Sequence, residues 1–294
     1  MITVMGATGH VGRQITQQLL DAGESVRAIG RNPAALAGLA AAGADIAAGD
    51  AADPGFLAGA FRGSDAVHTL LPYDPASADF RAEQASLGEA VVTAVRESGV
   101  RRVVALSSLA ADIPAGTGFI AASLHPQEER LHSLTGVDLM LLRPTLFFES
   151  IVAGMPFVEA MGVNADVVDP EVPVPMIATK DVAAAAAAAL LSRDWSGVRV
   201  RELLGPCDLT YAQATRILGA AIGKPDLQYV RLPDEDMIGA LVEAGFSAGT
   251  AALHVEMGRA LSAGTIVRRV ERTPANTTPT RFEDVITELL PEAS

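Results

Sequence analysis

The sequence predicts an α/β fold: a doubly wound parallel sheet carrying a smaller, mostly helical C-terminal lobe. Three observations lead there. Short apolar runs alternate with helix-periodic segments through the first half of the chain, which is the pattern of a parallel sheet covered on both faces. The first apolar run breaks directly into three spaced glycines and an amphipathic helix. After Pro144 the alternation stops, and prolines 156, 170, 173 and 175 divide the next segment of the chain.

The first strand is the apolar run of Ile2, Val4 and Met5. Gly6-Ala7-Thr8-Gly9-His10-Val11-Gly12 comes next, and then a helix with Val11, Ile15, Leu19 and Leu20 on one side. Strand, glycine turn and helix are the context that a dinucleotide-binding loop requires. Gly6 allows the tight turn, Gly9 removes a Cβ where backbone approaches a pyrophosphate, and Gly12 lets the helix pack close to the sheet. The helix N-terminus offers unpaired N–H groups and a positive dipole end to phosphate. The loop makes the sheet Rossmann-type and assigns cofactor contacts to Gly6, Thr8, Gly9, His10, Val11 and Gly12.

A second strand is expected over 24–29 and a helix over 33–42, with Pro33 suited to its first turn. Further strands are expected at 44–48, 65–71, 100–106 and 137–142. The helices between them are expected at 53–61, 80–98 and 127–134, with Gly99 and Gly136 closing the last two. In the later half the alanine run 183–189 implies a helix packed closely through small side chains. A strand is expected over 199–204, and helices over 210–222, 233–244 and 249–261. Residues 1–150 are thus expected to form the NAD(P)-binding domain. Residues 151–294 are expected to form a substrate lobe packed on it, with chain contributions that interleave.

Composition restricts the function. A net charge of −13 argues against nucleic acid, because phosphate contacts need basic patches, and against anionic membrane surfaces. The longest apolar run, 182–191, is shorter than the roughly 20 residues a membrane span needs. The single cysteine, Cys207, forms no internal disulfide, which fits a reducing cytosol. No metal-ligand spacing and no Gly-x-Ser-x-Gly nucleophile turn is present. A small-molecule partner in the cytoplasm is expected, and a homodimer is left open.

Arg31 stands just past the second strand, where a ribose 2′ substituent lies. NAD-binding chains often carry an acid there. An arginine instead gives a bidentate grip on a 2′-phosphate, so NADP(H) is favoured over NAD(H). Among the histidines, His68 reads as a satisfied core or rim residue, and His132 and His254 read as helix-surface residues. Glu128 and Glu129 read as acids complementing a helix dipole.

The segments GATGHVG, IGRNP, AGD, VVALSS and HPQEERLHSLTGVDLMLLRPTLFFES resemble NmrA-like proteins, an atypical branch of the short-chain dehydrogenase/reductase superfamily. Within that family the chain is most similar to NAD(P)H:quinone oxidoreductase-like proteins, through residues 109–112, His125 and Glu129. The resemblance implies that Asp50 lies near the adenine and that Leu70, Leu71 and Pro72 flank the cofactor. It further implies that Ser107 and Ser108 face the nicotinamide ribose and that Pro144 passes the carboxamide. Tyr73, Phe147 and Phe148 are its candidate substrate contacts.

One departure decides the chemistry. Typical short-chain dehydrogenases use Tyr-x-x-x-Lys as their proton-transfer pair. Here the corresponding positions are Ala121 and His125, and no Tyr-x-x-x-Lys occurs elsewhere. Reducing a simple ketone yields an alkoxide, for which a positioned acid is worth typically ~10²–10⁴-fold. Hydride addition to a quinone yields a stabilised hydroquinone anion and needs that acid less. The expected activity is therefore NADPH-dependent reduction of a quinone-like or conjugated acceptor, with His125 as the candidate proton donor. A non-catalytic NADP(H) sensor and a pathway enzyme with unusual chemistry in the same cleft are the alternatives.

Overall fold

The structure is a computed structural model that describes residues 1–267 and 270–290. The first half runs β1 (Ile2–Val4), α1 (His10–Asp21), β2 (Val26–Gly30), α2 (Pro33–Ala41), β3 (Asp45–Ala48), α3 (Pro54–Phe61), β4 (Ala66–Thr69), α4 (Phe80–Ser98), β5 (Arg102–Leu106), α5 (His125–His132) and β6 (Asp138–Pro144). It continues with β7 (Leu146–Phe147), α6 (Phe148–Val152), α7 (Met155–Met161), β8 (Asn164–Asp166), β9 (Val174–Ile177), α8 (Thr179–Ser192) and β10 (Val198–Leu203). The remainder is β11 (Asp208–Leu209), α9 (Tyr211–Ala221), β12 (Tyr229–Arg231), α10 (Asp234–Glu243), α11 (Ala248–Ser262) and α12 (Phe282–Leu289).

Seven parallel strands form the main sheet in the order β10-β6-β5-β4-β1-β2-β3. β1 lies between β4 and β2, so the strand order reverses there. A crevice opens beyond the carboxyl ends of the strands at such a point. Ile2 and Val4 on this central strand are fully buried, whereas Ile46 on edge strand β3 is exposed. On one face α1 and α8 pack Ile15, Leu19, Val182, Ala186 and Leu190 against the sheet. The alanines of α8 allow that close approach. On the other face α3 and α4 contribute Leu57, Phe61, Leu87, Val91 and Val95.

The lobe has its own core, in which Phe148 stacks on Phe282 with ring centroids 5.0 Å apart. Its small sheets, β11-β9-β7 and β12-β8, are not legible in the sequence, because strands of two to four residues carry too little periodicity to read. The Asp181 carboxylate accepts from Thr280 N and Oγ at 3.0 and 2.7 Å and ties the lobe to α8. No helix among the described residues is long and apolar enough to cross a membrane.

The helix expected from Gln127 begins earlier. A π turn over Ile120–Leu124 runs straight into α5, with His125 N donating to Ile120 O. Pro126 supplies no N–H in the first turn of α5, and the widened preceding turn accommodates it.

His68, on central strand β4, is a core residue, fully buried, but its ring is not satisfied. Neither ring nitrogen has a hydrogen-bond partner among the described residues. Burial pushes its pKa down to about 4. The folded protein thus holds the neutral ring while the unfolded chain protonates near pH 6.5. The stability from this site is present above pH 6.5 and is lost as pH falls toward 4, by on the order of 3 kcal/mol in full. We expect His68→Phe to flatten the stability profile in that window. Denaturant midpoints of both proteins at pH 7 and pH 5 check this; an equal acid loss in both would remove His68 as the cause.

Candidate active site

The crevice begins at the glycine loop. Gly6 turns off β1 with φ +64°, and Gly9 N donates to Gly6 O at 2.9 Å. A Cβ on Gly12 would stand 2.2 Å from Gly6 O, so the fold itself demands that glycine. A Cβ on Gly9 would meet nothing nearer than 3.4 Å. The protein leaves that space open, as close approach by a ligand requires. Gly9 caps α1 without a side-chain hydrogen bond, and no acid stands in the first turn. The leading N–H groups are thus left for an anion to meet. Thr8 and His10 are exposed on this loop, while Val11 turns into the core.

From the loop a groove of about 220 Å³ extends between Thr8, Gly9, Arg31, Leu70 and Pro72. Arg31 is exposed and makes no ion pair or hydrogen bond with any described residue. Asp50 shares an adjoining recess with Arg31 and Pro72, and its carboxylate accepts from Ala52 N at 2.9 Å. An uncommitted guanidinium and bare helix N–H groups suit a phosphorylated dinucleotide.

In the other direction lies an apolar cavity of about 290 Å³ beyond the ends of β4, β5 and β6. Leu70, Leu71, Ser107, Ser108, Pro144 and Phe147 line it, with Met257 and Leu261 of α11 closing the far side. Backbone bonds hold its floor: Ser107 N to Leu142 O and Leu109 N to Pro144 O, both 2.8 Å.

Several expected residues stand elsewhere. Phe148 is fully buried in the stack with Phe282 and does not line the cavity, so lobe packing accounts for its ring. Tyr73 is half exposed and outside the lining, edge-on to Phe80 and to the cavity-lining Phe119. Burial and the charge of Asp74 push its pKa up to about 12. Ala121 is buried in the π turn, and no phenol takes its place in the lining. His125 Nδ1 lies 2.8 Å from Ala111 O, and the ring is outside the cavity lining.

Two clusters escaped sequence reasoning. Glu128 is buried, and its carboxylate accepts from Ser107 Oγ at 2.5 Å and from Arg143 Nε and Nη2 at 2.9 and 2.5 Å. It is therefore an ion-pair partner and not a dipole-complementing surface acid. Arg143 at the end of an otherwise apolar strand was the available signal, since a buried guanidinium needs a counter-charge. His254, read as a surface residue, is only 22% exposed and lies 3.3 Å from both oxygens of Asp166. Burial lowers its pKa, but the hydrogen bond and charge of Asp166 outweigh this and raise it above the ordinary value.

Residues 6–193 match the profile of a family described as NAD(P)H-binding. The chain belongs to that family. It is 33% identical to (4-alkanoyl-5-oxo-2,5-dihydrofuran-3-yl)methyl phosphate reductase of Streptomyces griseus, over 76% of this chain and 75% of that protein. It is 30% identical to quinone oxidoreductase 2 of Escherichia coli over 85% and 84% of the two chains. The crystal structure of that NADPH-dependent quinone oxidoreductase complexed with NADPH superposes with a TM-score of 0.78, covering 98% of this chain and 99% of the other at 25% identity. The glycine loop, the groove and most of the apolar cavity's strand-end lining fall within the matched family region.

Proposed function

We propose that this protein is an NADPH-dependent oxidoreductase that reduces a quinone-like or conjugated small molecule. One observation carries the reading: the apolar cavity opens at the strand ends next to the anion-binding loop, and its wall holds no tyrosine–lysine pair. The two curated relatives, reductases of a quinone and of a conjugated lactone phosphate, support it.

When bound, the cofactor supplies the hydride. The chain's own groups do the rest. The α1 N–H groups would hold the pyrophosphate, and Arg31 would pair with the 2′-phosphate. Leu70, Leu71 and Pro144 would hold the nicotinamide toward the cavity they line, with Ser107 and Ser108 at its ribose. Phe147, Met257 and Leu261 exclude water and seat a flat acceptor alongside, which is the proximity that a hydride step requires. His125 braces the 109–113 loop through Ala111 O, so it acts as a positioning residue of that loop. Asp50 shapes the adenine end through its turn. The protein works in the cytosol on small molecules, without nucleic acid.

The acceptor spectrum tests the reading. NADPH should be oxidised by naphthoquinones, while simple ketones and alcohols should be poor substrates. Tight NADPH binding with no oxidation across a broad acceptor panel would favour a sensor instead. Arg31→Ala should weaken NADPH by ~10- to 100-fold, the worth of a hydrogen bond to a charged group, and leave NADH nearly unchanged. Titration with both cofactors checks this, and equal weakening of the two would refute a 2′-phosphate contact.

A further inference from the structure

Behind the apolar cavity lies a second chamber of about 180 Å³. It shares Leu146, Ser150, Met257 and Leu261 with the first, so the two are neighbours across one wall. Its chemistry differs: Asp166, Tyr211 and His254 line it. We propose that this chamber is a recognition subsite for a carbonyl or carboxylate oxygen on a side substituent of the acceptor. The proposal rests on the reading of the apolar cavity as the acceptor site.

The chamber's polar groups keep hydrogen-bonding capacity to spare. Asp166 spends its carboxylate on the protein, accepting from Val167 N at 2.6 Å and facing His254 Nε2 through both oxygens. His254 turns Nε2 to that carboxylate, and its Nδ1 has no hydrogen-bond partner among the described residues. The Tyr211 hydroxyl has no hydrogen-bond partner among the described residues, nor has the Ser150 hydroxyl. Burial foremost, and then the charge of Asp166, push the Tyr211 pKa well above the ordinary phenol value, so it stays a donor. Tyr211 is 5% exposed and in ring contact with Tyr229, whose own hydroxyl donates to Val168 O at 2.7 Å. Helix dipoles and loops explain none of this. The unpartnered Tyr211 and Ser150 hydroxyls and His254 Nδ1 face the chamber, where a ligand oxygen could take the hydrogen bonds they have to spare. The Asp166 carboxylate in the lining disfavours a second anion, so the chamber suits an uncharged carbonyl better than a carboxylate.

Three naphthoquinones with side chains of equal length, ending in an acyl group, a carboxylate or an alkyl group, provide the test. Binding is measured by calorimetry on the NADP⁺-saturated protein, and KM is measured with NADPH. In the wild type the acyl chain should bind ~10-fold tighter than the alkyl chain, the worth of about one hydrogen bond. The carboxylate chain should fall between them. Tyr211→Phe and His254→Leu should each erode the preference, and His254→Gln, which keeps an N–H donor, should restore part of it. Tyr211→Phe removes only a hydroxyl, so it answers even if loss of the His254–Asp166 pair disturbs folding. Equal binding of acyl and alkyl chains by the wild type, or an undiminished preference in Tyr211→Phe and His254→Leu, overturns the proposal. A binding preference without NADPH oxidation would instead keep the subsite and sink the reductase.

Discussion

Gly9→Val should abolish NADPH binding while leaving the protein folded. Inside the protein the new side chain starts in open space, 3.4 Å from its nearest neighbour at Cβ. It would then occupy the volume in which the proposed cofactor's pyrophosphate meets the first N–H groups of α1. Losing two hydrogen bonds to a charged group, at ~1.5–3 kcal/mol each, lowers affinity by ~10²–10⁴-fold. Gly12→Ala gives the opposite pattern, because its Cβ would overlap Gly6 O at 2.2 Å: the loop must distort, and stability falls before affinity can be read. Calorimetric titration together with thermal melts separates the two. Unchanged NADPH binding by a folded Gly9→Val protein would mean that the phosphates lie elsewhere.

The second large effect is on stability. Glu128→Ala leaves the largely buried Arg143 guanidinium, 12% exposed, without its bidentate partner, and Asp112 at 3.6 Å is too distant to replace two short hydrogen bonds. Breaking a buried pair from one side costs ~3–5 kcal/mol, and the nearby Asp112 charge should bring the loss toward the lower figure. Replacing both partners, Glu128→Leu with Arg143→Leu, should recover most of it, since desolvation of the pair offsets much of its attraction. Denaturant midpoints of the two variants decide this. If the single variant loses less than ~1 kcal/mol, water reaches the pair and it contributes as a surface bridge does. Ser107→Ala in the same series shows how far the network also positions the hydroxyl at the cavity wall.

These two sites mark what the sequence makes readable. The glycine loop is local: its turn, its helix start and the missing N-cap side chain lie within a few residues, so spacing alone locates them. The strands and helices of the first half are readable for the same reason, as each repeats a period over its own length. The Glu128–Arg143 pair is not local. A helix start and a strand end meet across the sheet edge, and at a helix start an acid already has an ordinary explanation. His254 on α11 meets Asp166 on β8, a strand of three residues, and Phe148 meets Phe282 across most of the lobe. Nothing in the periodicity of either partner reports such a meeting. The π turn is a middle case, where Pro126 is visible but its effect on the preceding turn depends on the packing of Ile120 to Ser123.

The edge strand β10 has a practical consequence. It pairs with β6 along its whole length, and the helix before it, α8, covers α1. The lobe is therefore spliced into the sheet at two places, between β6 and α8 and again after β10. Cutting the chain at residue 150 would strip the sheet of an outer strand and bare the alanine-packed side of α1 to water, which invites aggregation. Anyone exchanging the lobe between relatives to transplant acceptor preference should keep residues 179–203 with the recipient and make two junctions instead of one.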